Sequence, residues 1–110
     1  MKENFSAVNR KAFRDYSVLE TFECGIELKG SEVKSIRNGN VNLKDSFARI
    51  EGRDALLYNM HVNPYEFSGS FVVSPTRPRR LLLHKNQKSR ILMEVTQKKL
   101  ALIPLKLYFN

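Results

Sequence analysis

The sequence has little that would staple, anchor or export it. Cys24 is the sole cysteine among 110 residues, so no internal disulfide can form and a disulfide-rich secreted scaffold is excluded. No apolar run approaches the roughly 20 residues of a membrane span. The opening MKENFSAVNRK lacks the apolar segment of a secretory signal. A soluble, cytosolic protein without a membrane partner is the expectation. The five glycines are scattered and form no phosphate-cradling loop. The two histidines, His61 and His84, lie far apart, with no cysteine pair or His-x-x-x-His helix to complete a metal site. Acidic residues are scarce in the second half. Residues 1–55 carry ten basic and nine acidic residues, whereas 56–110 carry nine basic and two acidic, within a net charge of +8. Such asymmetry points to a polyanion, most often nucleic acid. A basic surface that only aids solubility is the plainer alternative.

What is present reads as one small domain, residues 1–110, rich in strands. Residues 1–15 are expected to be a flexible start with at most one helical turn. Tyr16, Val18, Phe22, Cys24, Ile26 and Leu28 share one parity, with Thr21, Glu23, Glu27 and Lys29 opposite, which predicts a long strand over 16–29. Gly25 within it suggests a bulge or a close approach by another chain. GSEVKSIRNG predicts a short helix, capped by Ser31 and stopped at Gly39, with Val33 and Ile36 on one face and Lys34 and Arg37 on another. A strand is expected around Phe47–Ile50, a turn at Gly52, and a second alternation placing Leu56, Tyr58, Met60 and Val62 together. Residues 63–80 form a long irregular stretch ending in RPRR. RLLLHK then leads into a helix of about 12 residues with Ile91, Leu92 and Val95 inward. The final LALIPLKLYFN is β-like, with Pro104 at an edge or a bulge. Four or five strands with two helices suggest a mainly β protein with flanking helices, a small antiparallel barrel of the oligonucleotide-binding type.

Catalytic readings are poor. Cys24 shares an apolar strand face and has no evident base beside it. Glu23 and Glu27 project to one side and could pair as acid and base, although exposed strand carboxylates are far more often solvated. RLLLHK is sharper. If extended, Leu81 and Leu83 point one way, Leu82 and His84 the other. One pair can enter a core, and the other then offers an apolar side chain and an imidazole between Arg79, Arg80 and Lys85. That combination suits RNA, with cations on phosphates and an apolar or flat group against an unstacked base. Burial of all three leucines at a strand–helix junction is equally compatible with the residues. Glu23 repels phosphate, but can accept from a base edge or orient a cation, adding selectivity.

Taken together, NRKAFRDY at 9–16, TFECGIELKGSEVKSIRNGNVNLKDSFARI at 21–50, MHVNPYE at 60–66, SPTRPRRLLLHK at 74–85 and IPLKLYF at 103–109 resemble the bacterial SsrA-binding protein family, also called small protein B. The resemblance covers about two thirds of the chain. It implies a closed barrel with flanking helices, no enzymatic activity and no cofactor or metal. The implied partner is the tRNA-like domain of transfer-messenger RNA, bound by a monomer during rescue of stalled ribosomes. The family's RNA-contacting positions fall on Asn9, Glu23, Leu82 and His84. Lys34, Arg37, Arg79, Arg80 and Lys85 are the candidate phosphate contacts.

Departures from the family pattern are specific. Phe13 and Arg14 stand where a basic residue and an imidazole are common. Lys99 replaces the glycine after the long helix, where a left-handed lysine costs about 1 kcal/mol and a different turn is expected. Family members continue past LYF with a further strand and a basic, ribosome-engaging tail, so the resemblance assigns neither to a sequence that stops at Asn110. Two other non-enzymatic readings compete: a generic single-strand-binding barrel stacking bases on Phe22, Phe47, Tyr58, Tyr108 and Phe109, and a structural ribosomal protein.

Overall fold

A computed structural model describes residues 5–64 and 73–109. The part of the irregular stretch at 65–72, with Tyr65 and Glu66 of MHVNPYE, lies outside the described residues. The architecture is mixed, a sheet-rich core with three helices. Its strands form three antiparallel ladders: β1 (Phe5–Val8) with β8 (Lys106–Tyr108); β3 (Val41–Asn42) with β6 (His61–Val62); and a four-stranded sheet ordered β2 (Gly25–Ile26), β7 (Arg79–Leu82), β5 (Asp54–Tyr58), β4 (Phe47–Glu51). The helices are α1 (Arg10–Asp15), α2 (Gly30–Arg37) and α3 (Lys85–Lys98).

All three ladders feed one apolar cluster. Ile36, Leu43, Leu57, Met60 and Val62 form its buried centre, and Ala7, Ile26, Val41, Ala48, Leu81 and Leu107 pack against it. Ala48 also bridges to Leu102, its amide donating to the Leu102 carbonyl at 2.8 Å, which draws the last segment against β4. Among the described residues the ladders do not join into a closed ring. Among the described residues, β2 and β8 each lack a strand partner on one side. An open groove runs between residues 17–24, α3 and residues 100–109.

Several expectations change. Residues 5–8 form a strand, because β8 supplies a partner about a hundred positions away that no local pattern reveals. The long strand over 16–29 contracts to Gly25–Ile26. Its ladder partner β7 ends at Leu82 and α3 starts at Lys85, so residues before Cys24 run past the end of the available edge. Alternating burial survives over 24–28, with Cys24, Ile26 and Leu28 turned inward. Alternation in 55–62 is interrupted. Ala55 and Leu57 are buried, then Met60 and Val62, because Asn59 is left-handed (φ 64°) and reverses the parity. Asparagine tolerates that conformation better than most residues.

Helix α2 begins one residue before Ser31. Its start is held by Glu32, whose Oε1 accepts from the Lys29 amide at 2.8 Å, the reciprocal half of a capping box. It stops where expected, with Gly39 left-handed (φ 77°). Helix α3 buries Ile91, while Leu92 faces solvent. The turn after α3 does not avoid the left-handed region. Lys99 adopts φ 52°, ψ 46°, its amide donating to the Val95 carbonyl.

Candidate nucleic-acid interface

Strand β7 alternates strictly. Arg79 is buried, Leu81 and Leu83 are half-buried, and Arg80, Leu82 and His84 are exposed. Leu82 retains 52% of its accessible surface. Of the two arrangements open to RLLLHK, the structure adopts the one that turns Leu82 and His84 outward.

β2 lies antiparallel beside β7, with Gly25 opposite Leu82 and Ile26 opposite Leu81. The Glu27 amide donates to the Arg80 carbonyl at 2.9 Å, extending that register by one more residue. Residues directly opposite each other in such a pair share a face. The outward row therefore contains Glu27 beside Arg80 and Gly25 beside Leu82. Beyond the ladder, Glu23 lines the same open groove as Leu82 and His84. Arg80 pairs with Glu27 at 2.9 Å and approaches Asp54 at 3.9 Å, all three being exposed. Exposed pairs of this kind are worth about 0–1 kcal/mol, so Arg80 can exchange a carboxylate for a phosphate at little cost.

His84 ends the row and opens α3. Its amide donates to Gln87 Oε1 at 3.0 Å, which fixes the chain where it turns into the helix. Lys85 is the first helical residue and is exposed. Lys88, three residues on, donates to the Arg53 carbonyl in the β4–β5 turn. This brings Arg53 and Lys88 beside the basic start of α3, two cations that the sequence reading did not single out.

Glu23 is exposed and accepts a hydrogen bond from the Tyr108 hydroxyl. The next residue, Phe109, lies under the Arg37 guanidinium at 4.5 Å from the ring centroid, a cation–π contact. A chain of contacts thus runs from the end of α2 through Phe109 and Tyr108 to Glu23. Lys34 lies one turn before Arg37 on the exposed side of α2. The structure therefore brings Glu23, Leu82 and His84 to one groove, with exposed Arg80 and Lys85 adjoining Leu82 and His84 along the chain, and links Arg37 to Glu23 through Phe109 and Tyr108.

Two candidates lie elsewhere. Arg79 is corrected from a phosphate contact to a core residue, with no accessible surface. Its Nε donates to Glu32 Oε2 at 2.7 Å, Nη1 to the Met60 carbonyl at 2.7 Å and Nη2 to the Pro75 carbonyl at 3.1 Å. Glu32, 3% exposed, also receives Arg77 Nε at 3.1 Å. Burial alone would raise the Glu32 carboxyl, but the bonds from Arg77, the Lys29 amide and Arg79 outweigh it and hold the group below the usual carboxylate range. Burial pulls the Arg79 guanidinium down against the opposing bond and charge of Glu32; arginine stays protonated regardless. The cluster ties α2 to β7. Arg79 has the parity of Leu81 and Leu83, and that signal was available in the sequence.

Asn9 is likewise corrected. It is 5% exposed. Its Oδ1 caps α1 by accepting from the Ala12 amide at 3.2 Å, and its Nδ2 donates to the Pro104 and Leu43 carbonyls at 3.0 and 3.3 Å. Its amide is committed at both ends, so it holds α1 against the last segment instead of facing RNA.

Other readings find less support. Burial, then the Glu23 charge, push the Cys24 thiol up, the wrong direction for a nucleophile. No group of three metal-ligating side chains occurs among the described residues. No helix among them is long and apolar enough to cross a membrane. Of the candidate stacking aromatics, Phe47 and Tyr58 stack on each other across β4–β5 with centroids 5.4 Å apart, whereas Phe22 and Phe109 stay exposed.

A family model described as SmpB protein matches residues 6–110. The SsrA-binding protein of Carboxydothermus hydrogenoformans is 56% identical over 108 residues, 98% of this chain and 72% of that protein. The SsrA-binding protein of Caldicellulosiruptor saccharolyticus is 59% identical over 104 residues, 94% of this chain and 66% of that protein. A solved chain described as "tmRNA-SmpB: a journey to the center of the bacterial ribosome" superposes with a TM-score of 0.76 at 51% identity, over 94% of this chain and 73% of that one. The chain thus spans about two thirds to three quarters of the length of these relatives.

Proposed function

The chain belongs to the SmpB family, and on that premise we propose that it binds transfer-messenger RNA through the outward face of β2 and β7 and supports rescue of stalled ribosomes by trans-translation. It acts in the cytoplasm as a binding protein, by holding RNA shape and not by turnover. The tRNA-like domain of the RNA is the target, and the ribosome is the assembly to which the complex is brought. The observation that carries the proposal is the exposed, in-register pairing of Glu27 with Arg80 and Gly25 with Leu82, beside a groove that Glu23, Leu82 and His84 all line, on a chain of net charge +8.

The roles follow from chemistry. Arg80 and Lys85 neutralise backbone phosphates beside the row, and Lys34 and Arg37 do so from α2. Leu82 and His84 present an apolar and a flat surface to an unstacked base. Glu23 accepts from a base edge and discourages stray phosphates. Tyr108 holds its carboxylate, so it positions Glu23 without itself reading a base.

Four phosphate contacts give a log–log salt slope of roughly −2.8 to −3.6. The test is a gel shift of the tRNA-like domain and of an elongator tRNA at several salt concentrations. Wild type is expected to favour the tRNA-like domain with a slope in that range. R80E/K85E weakens both RNAs and flattens the slope by roughly 1.4–1.8. A salt-independent affinity, or equal binding to both RNAs, contradicts the proposal.

A further inference from the structure

The outward row contains one residue with no side chain to offer. Gly25 is not held there by its backbone, because the left-handed glycines among the described residues are Gly39 and Gly52. Glycine also weakens a strand, through backbone entropy and the missing packing surface. Local stability would therefore favour alanine. The surroundings give a different reason for glycine. A Cβ on Gly25 would lie 3.1 Å from Leu82 Cδ1, 3.4 Å from its Cβ and 3.6 Å from its Cγ. Gly30, Gly39 and Gly52 would meet nothing within 4 Å. Gly25 is thus the described glycine whose missing side chain is filled by a neighbour, and the neighbour is the exposed Leu82.

From this we infer that Gly25 is a specificity-determining positioning residue for RNA. Its bare Cα is the seat on which Leu82 lies flat across β2, and this sets the height at which the leucine meets a base. The inference rests on Leu82 being a base contact, as proposed above. The Glu27–Arg80 pair flanks the leucine along the ladder, and Glu23, two residues before Gly25, lines the same groove as Leu82. With Leu82 lying down, its apolar face is level between an anion-bearing position and a cation-bearing one, so a base can reach Glu23 while its phosphate reaches Arg80. A methyl at position 25 crowds the far end of a flexible, half-exposed side chain. The leucine rotates away from the sheet and the fold is undisturbed. A standing leucine holds the base off both flanking groups.

The test compares G25A, L82A and the double variant, each titrated with the tRNA-like domain of transfer-messenger RNA, with an elongator tRNA as competitor. Thermal melts and the methyl resonances of Leu82 are recorded on the free proteins. G25A is expected to keep or raise the melting temperature, to shift the Leu82 methyl signals, and to bind the RNA about fivefold to tenfold more weakly. The double variant is expected to bind as L82A does, since the two changes remove the same contact. Wild-type affinity in G25A beside weak binding in L82A overturns the role of Gly25 alone. Losses that multiply in the double variant, or a lowered melting temperature in G25A, also overturn it, because glycine then serves packing. Wild-type affinity in L82A overturns the base contact itself and the role of Gly25 with it.

Discussion

Replacing Glu32 by glutamine tests the join between α2 and β7 by changing one atom. Glutamine keeps an oxygen for the Lys29 amide but removes the charge that faces Arg79 and Arg77. Arg79 has no accessible surface, so its guanidinium cannot turn to water, and its other partners among the described residues are the Met60, Arg77 and Pro75 backbone carbonyls. Removing one partner of a buried pair costs about 3–5 kcal/mol, most of it the penalty of the stranded charge. The lower figure is expected here, since the Met60, Arg77 and Pro75 carbonyls still accept from Arg79, although the new amide nitrogen stands where Glu32 Oε2 met Arg79 Nε. About 3 kcal/mol is a large share of the 5–15 kcal/mol typical of a domain. In a chain of this size it lowers the melting temperature by roughly 12–20 °C.

The pH dependence adds a second readout to the E32Q experiment. Glu32 has a folded pKa below its unfolded value of about 4.3. Its contribution to stability is therefore complete above about pH 5 and is lost as the pH falls through the folded value. Thermal and urea melts of wild type and E32Q should differ by a constant amount from about pH 5 to 8, with the gap narrowing below about pH 4. A melting-temperature difference under about 3 °C at pH 7, or a gap that does not close in acid, refutes the reasoning.

Two further substitutions test the corrected assignments. K99G relieves the left-handed lysine after α3 and should stabilise the fold by about 1 kcal/mol, raising the melting temperature by roughly 4–8 °C; an unchanged or lowered value means the turn is not strained. N9A removes the α1 cap and strands two carbonyls, and should cost about 2 kcal/mol while leaving RNA affinity unchanged at temperatures well below the melt. Weakened RNA binding with unchanged stability in N9A would return Asn9 to the interface.

The sequence was most legible where a feature was local. The α2 stop at Gly39, the turn at Gly52 and the alternation of RLLLHK need only neighbouring residues, and each is present. The alternation even contained the fate of Arg79, which shares the inward parity of Leu81 and Leu83. Its charge argued for solvent, and the partner that makes burial tolerable, Glu32, lies 47 positions away. Asn9 was obscured in the same way, because the carbonyls it satisfies belong to Leu43 and Pro104. Strand β1 and the shortening of β2 both depend on where another strand begins or ends. Gly25 was marked in its strand pattern as a bulge or a close approach, but that the neighbour is Leu82, and that Tyr108 holds Glu23, needed contacts that cross the molecule.

The most direct trial of the proposed interface is an NMR titration of the protein with the tRNA-like domain of transfer-messenger RNA, following backbone amides and side-chain methyl and imidazole signals together. If the outward surface of β2 and β7 is where RNA docks, the resonances of Glu23, Gly25, Arg80, Leu82 and His84 move first and most, with those of Val41 and His61 nearly still. Strong shifts confined to β3 and β6, with Leu82 and His84 unmoved, would place the RNA on another surface.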